Sequence, residues 1–277
     1  MTKKVLTIQD ISCYGSCSTT VALPILSALG HECVILPSAI LSTHTGGFKD
    51  FTVLDLTDEM PKIIEHWKKE GIKFDCIYTG YIGNKKQFDY IIDVKENLLN
   101  EDGLFIVDPA MADNGKMYYG LGDDIVEGMK SICSIADYII PNITEACFLT
   151  GNKYQEIHDD MFINNLLGDL YRLGCKNVIL TGYQDDEESI GAICYDGFTK
   201  TTVLKEKIEK SYHGTGDIFS SIIVGNILNN IDIKKNLDLA TDFIVDSILN
   251  TIEDDTHEYG VHYEEILKKY KDKDKDE

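Results

Sequence analysis

The stretch His213-Gly214-Thr215-Gly216-Asp217-Ile218-Phe219-Ser220-Ser221 decides how this chain is interpreted, because its two glycines lead into an apolar helical pattern. Apolar residues recur at spacings of three and four, at positions 218, 219, 222, 223, 227 and 228. This spacing predicts a helix over 217–228. The first N–H groups of a helix have no intrahelical partner and carry the positive end of its dipole. The sequence therefore predicts an anion site here, with phosphate as the usual occupant.

Asp217 is the unusual member of this predicted site, since a carboxylate repels the phosphate that the amides of Gly214, Thr215 and Gly216 would hold. It is explained if it takes the proton from an incoming hydroxyl group as a general base. The combination indicates phosphoryl transfer to an alcohol. The alternative is an ordinary turn, with Asp217 in the first helical turn where it favours the helix dipole.

Composition narrows the class of protein. The chain has 277 residues, 43% of them hydrophobic, which suffices for one large domain or two small ones. We predict a single domain over 1–267 and a charged tail over 268–277, where Lys and Asp alternate. The formal net charge of −21 argues against nucleic acid and anionic membranes as partners.

The eight cysteines are scattered and lie mostly in apolar segments, which indicates buried, reduced thiols and a cytoplasmic protein. Cys13 and Cys17 alone lack a second pair or a His cluster that would complete a zinc site. The first apolar run is too short for a signal peptide, and no stretch has the length of a membrane-spanning helix.

Short apolar runs alternate with longer amphipathic ones, which predicts a mostly parallel sheet flanked by helices. The predicted strands cover 4–8, 32–36, 75–79, 104–107, 137–140, 177–180 and 189–195. The predicted helices cover 18–28, 58–70, 85–99, 125–135, 144–149, 160–173, 217–228 and 237–253.

Polar residues follow five of the predicted parallel strands. In an open parallel sheet the carboxyl ends of the strands meet at one edge, where ligands bind. Each residue has a simpler explanation by itself, as a turn, an N-cap or a helix-dipole partner, but together they predict a binding site. They are Gln9-Asp10, Gly80-Tyr81, Asp108-Pro109, Pro141-Asn142 with Glu145 three residues later, and Thr181-Gly182.

At these residues the chain resembles the ribokinase-like superfamily and, within it, the pyridoxal (vitamin B6) kinases, over about residues 5–249. The Gly-Thr-Gly-Asp motif at 214–217 is typical of the superfamily, and the His-Thr-Gly and Thr-Gly-Tyr segments are similar to those of B6 kinases. The segments that carry the resemblance are 6–9, 42–48, 78–81, 107–113, 140–145 and 214–217.

The resemblance implies a three-layer α/β/α sandwich with a central, mostly parallel sheet. It implies that Asp217 is the general base on the 5′-hydroxymethyl group of a vitamer, and that Gly214, Thr215 and Gly216 hold the transferring phosphoryl group. It also implies two further sets of residues: Asp108, Asn142, Glu145 and Thr181 at the nucleotide, and Asp10, His44, Thr45 and Tyr81 at the vitamer.

The implied co-substrate is ATP with Mg²⁺, which Asp108 and Glu145 would hold through water. A monovalent cation such as K⁺ as activator and a homodimer are also implied by the resemblance. The sequence has no Walker lysine motif, so a P-loop is excluded as the phosphate-binding element. The two adjacent glycines within 43–48 suit a flap that closes over substrate, with a plain glycine-rich loop as the alternative.

The chain departs from the resemblance at Asp10, where many B6 kinases have serine. A carboxylate beside the pyridine ring favours its protonated nitrogen, although Asp10 could instead stabilise the following turn. Hydroxymethylpyrimidine kinases share the fold and often have cysteine at the Asp217 position. A hydroxymethylpyrimidine kinase, a sugar or nucleoside kinase, and a non-catalytic B6-binding protein remain alternatives.

Overall fold

A computed structural model describes residues 2–155, 159–254, 256–257 and 259–273. Of the eleven strands in the described residues, nine form one sheet, and the sixth and seventh in chain order form a separate antiparallel pair. In chain order the strands are β1 (Lys4–Ser12), β2 (Glu32–Leu41), β3 (Val53–Asp55), β4 (Phe74–Thr79), β5 (Leu99–Val107), β6 (Ala112–Asp113), β7 (Lys116–Met117), β8 (Tyr138–Ile139), β9 (Asn177–Tyr183), β10 (Ser189–Tyr195) and β11 (Lys200–Glu206).

The strand order of the large sheet is β11-β10-β9-β8-β5-β4-β1-β2-β3. Neighbours from β2 to β9 run parallel, whereas β3, β10 and β11 pair antiparallel at the two edges. The chain passes from β1 to β2 on one side and continues at β4 on the other, so the strand order reverses beside β1. In open α/β sheets, ligands bind outside the carboxyl ends of the strands at such a point.

Helices cover both faces of the sheet, which confirms the predicted three-layer arrangement. The helices are α1 (Thr19–Ala28), α2 (Met60–Lys69), α3 (Lys86–Leu98), α4 (Asp123–Cys133), α5 (Ile143–Thr150), α6 (Asp160–Arg172), α7 (Thr215–Leu228), α8 (Ile233–Thr251) and α9 (Glu264–Lys273). One hydrophobic core lies between the sheet and α1, α7, α8 and α9 and includes Val21 and Ile218. The other lies between the sheet and α2 to α6 and includes Met60 and Phe88.

The first strand is longer than predicted. The apolar run predicts an end before Gln9 and Asp10, but β1 continues through both residues to Ser12. Its pairing with β2 shifts register after Gln9 and resumes at Ile11. Asp10 therefore lies at an irregularity of the strand, and such irregularities redirect a side chain toward a site.

The structure contains five elements that were not predicted: β3, β6, β7, β11 and α9. The predicted charged tail begins inside α9, where the Tyr270 hydroxyl accepts a hydrogen bond from Asn226 Nδ2 (2.9 Å). Residues 274–277 of that tail lie outside the described residues. Of the helices described, none is both long and apolar enough to cross a membrane.

Candidate active site

A cavity of about 390 Å³ lies at the point where the strand order reverses. Its wall includes the irregular end of β1, the loop after β2, Tyr81 just after β4, and the start of α7. These elements are far apart in the chain and meet because the parallel strands end at one edge. The cavity brings together six of the predicted residues: Asp10, His44, Thr45, Tyr81, Gly214 and Asp217.

Asp217 lies in the first turn of α7, where its carboxylate Oδ2 accepts a hydrogen bond from the backbone N–H of Ser18 (3.0 Å). Burial raises the pKa of Asp217 to about 6, against the lowering effect of the Ser18 N–H and the Cys17 side chain. The carboxylate of Asp10 also contributes to the raised pKa through charge repulsion. Asp217 is thus ionised at neutral pH but still basic enough to accept a proton.

Gly214 is the N-cap of α7 and has a φ of 82°, a conformation that glycine adopts without a Cβ penalty. A Cβ atom at this position would overlap the carbonyl oxygen of Ser16. The helix begins at Thr215, two residues earlier than predicted, so the amides of Thr215 and Gly216 belong to its first turn. Those amides have no partner within the helix, which agrees with the predicted anion site.

Asp108 directly follows β5 and is buried next to α7. The Ser220 hydroxyl, one turn beyond Asp217 on the helix, donates a hydrogen bond of 2.6 Å to Asp108 Oδ2. Burial, with a further contribution from the charge of Asp217, raises the pKa of Asp108 to about 8. Asp108 and Asp217 are therefore electrostatically linked although only Asp217 lines the cavity.

Glu145 and Asn142 form a capping box at the start of α5. Asn142 Oδ1 accepts a hydrogen bond from the Glu145 N–H (2.9 Å), and Glu145 Oε2 accepts one from the Asn142 N–H (2.9 Å). Glu145 Oε1 accepts a third bond from the Met111 N–H (3.1 Å). Burial and the nearby Asp108 raise the pKa of Glu145 well above its usual range. The capping role expected from the simpler interpretation is therefore present in the structure.

Asp108 and Glu145, the two residues predicted to hold Mg²⁺ through water, are buried carboxyl groups on the same side of the molecule as Asp217. Among the ion pairs of the described residues, none includes any of the three. They are also not close enough to form a cluster whose ligand atoms all lie within 4.8 Å. A hard cation that keeps several waters, as Mg²⁺ does, fits such separated oxygen donors.

Thr181 lies in β9, not after a strand as predicted, and forms an isolated parallel bridge with Asn142. Its N–H donates to the Pro141 carbonyl (2.9 Å). Asn142 Nδ2 donates to the carbonyl of Ala112 (2.8 Å). Asp108 follows β5, Asn142 and Glu145 lie at the start of α5 after β8, and Thr181 lies within β9. None of these four residues, predicted at the nucleotide, lines the cavity that contains Asp217.

The position of Asp10 is compatible with both of the alternatives that the sequence left open. It lines the cavity with Asp217, and its Oδ2 accepts a hydrogen bond from the Ser12 hydroxyl (2.8 Å). The side chain is buried, and burial raises its pKa, against hydrogen bonds from Ser18 and Ser12 that lower it.

The loop predicted as a flap, 43–48, packs against two other segments. His44 Nε2 is 3.0 Å from the carbonyl oxygen of Tyr259, and the rings of His44 and His213 are 5.5 Å apart. A Cβ atom on Gly46 would lie 2.5 Å from the His213 ring. This loop is thus in contact with the residue immediately before the glycine-rich start of α7.

Sequence reasoning missed several residues of this site. Ser220 could have been found, since it lies three residues after Asp217 and hence on the same helix face. Ser18 contacts Asp217, and Tyr259 contacts His44, through backbone atoms, so the side-chain types of Ser18 and Tyr259 do not signal these two contacts. Cys17 and His213 line the cavity without belonging to a recognisable motif.

Comparison with known proteins gives consistent matches. The model of a family described as phosphomethylpyrimidine kinase matches residues 23–262. A pyridoxal kinase of Dictyostelium discoideum is 27% identical over 93% of this chain and 87% of its own length. A crystal structure from Bacteroides thetaiotaomicron, named for the phosphomethylpyrimidine kinases and solved with pyridoxal, has 34% identity and a TM-score of 0.93, covering 98% of this chain and 96% of its own. The pyridoxal kinase structure from Lactobacillus plantarum has 28% identity and a TM-score of 0.90, covering 99% and 98%.

Proposed function

We propose that this protein phosphorylates a B6 vitamer with ATP. The chain belongs to the phosphomethylpyrimidine kinase family, which has the ribokinase-like fold. The family includes the pyridoxal kinases that the chain resembles. The group that accepts the phosphoryl is the 5′-hydroxymethyl group of pyridoxal, pyridoxamine or pyridoxine. The enzyme is an ATP:alcohol phosphotransferase, a pyridoxal kinase in activity. Its product from pyridoxal is pyridoxal 5′-phosphate.

The observation that carries this proposal is the position of Asp217, on the wall of the cavity and in the first turn of a helix whose leading amides have no intrahelical partner. A carboxylate with a pKa of about 6 accepts the hydroxyl proton as the oxygen attacks the phosphorus. The amides of Gly214, Thr215 and Gly216 stabilise the charge that develops on the phosphoryl oxygens. A protein that only bound the vitamer would have no use for the base.

Mg²⁺ belongs to the proposal as well, with Asp108 and Glu145 as its water-mediated anchors. When bound, the ion neutralises charge on the phosphates. Asp108 has a raised pKa because of burial and Asp217, and a nearby cation would lower that pKa by stabilising the carboxylate. Glu145 keeps its place through the hydrogen bonds of the capping box and the Met111 N–H. Asn142 and Thr181 complete the nucleotide side.

The vitamer lies in this proposal against Asp10, His44, Thr45 and Tyr81. Asp10 faces the same cavity as the base, so its carboxylate would stabilise a protonated pyridine nitrogen. The alternative substrate is hydroxymethylpyrimidine or its phosphate, because the matching family is named for phosphomethylpyrimidine. The pyridoxal kinases among the relatives and the structure solved with pyridoxal favour the B6 vitamer.

Three further properties are part of the proposal. A homodimer is supported by the apolar edge strand β3, where the exposed fractions of Val53 and Leu54 are 56% and 58%. A cytoplasmic location is supported by eight cysteines that are all free. Activation by K⁺ rests on the family resemblance.

A coupled ADP-release assay over pyridoxal, pyridoxamine, pyridoxine, hydroxymethylpyrimidine and ribose tests the proposal. We expect the highest kcat/KM for one of the three vitamers, with ribose inactive. A higher kcat/KM for hydroxymethylpyrimidine would favour the alternative, and turnover of ribose would contradict the assignment. ADP release without any acceptor serves as the blank.

A further inference from the structure

Two histidines and an aspartate converge in the segment that joins α8 to α9, outside the cavity described above. Asp254, His257 and His262 each offer one ligand atom, and these atoms all lie within 4.8 Å of one another. Among the described residues this is the one group of three or more His, Cys, Asp or Glu side chains with that property. All three residues are half-buried.

The aspartate is oriented by its own turn. Asp254 Oδ1 accepts hydrogen bonds from the N–H (2.9 Å) and the hydroxyl (2.6 Å) of Thr256. Its other oxygen, Oδ2, lies 3.0 Å from His262 Nε2. One carboxylate oxygen of Asp254 is thus hydrogen-bonded within the loop, and the other oxygen faces the imidazole rings. Hydrogen bonds that orient a ligating carboxylate in this way are a regular feature of metal sites.

Two hydrogen bonds connect the backbone of His262 to the end of α8. The His262 N–H donates to the Thr251 hydroxyl (2.7 Å), and the Asn250 amide donates to the His262 carbonyl (3.0 Å). The rings of His257 and His262 have centroids 3.7 Å apart. Anchoring of the backbone on α8 and packing of the two rings bring both imidazoles to the same side of the loop as Asp254.

From this arrangement we infer that Asp254, His257 and His262 bind a divalent transition-metal ion of the Zn²⁺ class, with water completing the coordination. Two imidazoles and one carboxylate are a donor set that such ions prefer, whereas Mg²⁺ prefers oxygen donors alone. Binding replaces the contact between His262 Nε2 and Asp254 Oδ2 with bonds from both atoms to the ion. It also moves the two packed histidine rings apart, because one ion cannot lie in the planes of two stacked imidazoles. The site is therefore separate, in place and in chemistry, from the proposed Mg²⁺ site.

Tyr259 connects the proposed metal site to the cavity that contains Asp217. Tyr259 lies between the two histidine ligands in the chain, and its carbonyl oxygen accepts from the Ser16 N–H (3.4 Å) and contacts His44 Nε2 (3.0 Å). An ion bound to His257 and His262 restricts the movement of the Tyr259 carbonyl group, which lies between them in the chain. We therefore expect metal binding to strengthen vitamer binding through His44, an effect that rests on the proposed function.

Titration of the full-length, metal-free protein with Co²⁺ tests the site without relying on activity. We expect visible d–d absorption without a thiolate charge-transfer band, since no cysteine is a ligand. His257→Ala and His262→Ala should each weaken Co²⁺ binding by more than the roughly 10–100-fold that loss of an outer-shell partner costs, because each removes a ligand. His66→Ala, which removes an exposed histidine from α2, should leave Co²⁺ binding unchanged. Circular dichroism of each variant verifies that it is folded.

Absence of Co²⁺ binding, a thiolate band, or equal loss in His66→Ala would overturn the metal site. The dissociation constant for pyridoxal, measured with and without Zn²⁺ in the absence of ATP, tests the consequence. We expect about fivefold or more tightening in the unsubstituted protein and none in His262→Ala. Co²⁺ binding with unchanged pyridoxal affinity would refute the coupling through Tyr259, and absence of any pyridoxal binding would contradict the proposed function instead.

Discussion

Replacing Asp217 with asparagine should make the protein more stable and much less active. The carboxylate is held in a buried position by the Ser18 N–H, and the amide oxygen that Asp217→Asn introduces can accept the same hydrogen bond. The substitution therefore removes the negative charge while it preserves the shape. Asp217 is a case in which a functional residue costs stability.

The size of the effect follows from the pKa. Burial raises the pKa of Asp217 from 3.8 to about 6. A shift of one pKa unit between the unfolded and the native state corresponds to about 1.4 kcal/mol. The ionised carboxylate thus destabilises the native state by about 3 kcal/mol above pH 6. This penalty is absent below pH 3.8, because the group is then protonated in both states, and it grows as the pH rises toward 6.

Urea unfolding at pH 8 and at pH 4.5 measures the predicted gain, with Asp102→Asn at an exposed position as the control. We expect the free energy of unfolding of Asp217→Asn to exceed that of the unsubstituted protein at pH 8 and to approach it at pH 4.5. In parallel, kcat should fall on the order of 10²–10⁴. A variant that is less stable at pH 8, or that keeps more than about a tenth of turnover, would refute the assignment.

Four further predictions follow from the same geometry. The kcat/KM for the vitamer should fall as the pH drops below about 6, because protonation of Asp217 removes the base; a flat profile from pH 5 to 8 would contradict this. Glu145→Gln should raise the Mg²⁺ concentration for half-maximal activity, and an unchanged Mg²⁺ titration would remove Glu145 from the metal site. Asp10→Ser should raise KM for pyridoxal most at high pH, where the free pyridine ring is neutral; curves offset equally at every pH would mean that Asp10 acts only on the loop. Gly30→Ala, which has a positive φ but no atom within 4 Å of its Cβ position, should destabilise the protein in urea unfolding by the about 1–3 kcal/mol that this backbone conformation costs. Gly214→Ala should destabilise it by more, because its Cβ also overlaps the Ser16 carbonyl; equal effects would mean that this overlap is relieved at no cost.

The positions of the central strands and their parallel arrangement could be predicted from sequence, because each strand is an apolar run bounded by polar residues and the strands alternate with helices. The order of the strands in the sheet was not predicted. The start of α7 could also be predicted, because glycines followed by an apolar helical periodicity indicate the start of a helix and, with it, an anion site. Strand β11 was missed because KTTVLKE is a polar edge strand with one buried residue, Val203. Helix α9 was missed for a similar reason, as its charged sequence resembles a solvated tail.

The contacts that complete the site were not accessible from sequence. Ser18 and Asp217 are 199 positions apart, and His44 and Tyr259 are 215 apart. Both contacts use backbone atoms, so no residue type marks them. The bulge at Asp10 likewise depends on the pairing of β1 with β2, a tertiary feature that local periodicity does not encode.

The most direct test of the proposed function is the identity of the phosphorylated product. The purified protein is incubated with ATP, Mg²⁺ and pyridoxal, and the product is analysed by mass spectrometry and by phosphorus NMR alongside measured ADP. We predict pyridoxal 5′-phosphate and ADP in equal amounts, with formation of both greatly slowed in Asp217→Asn. ADP without a phosphate ester of pyridoxal, or equal product formation in Asp217→Asn, would contradict the proposal.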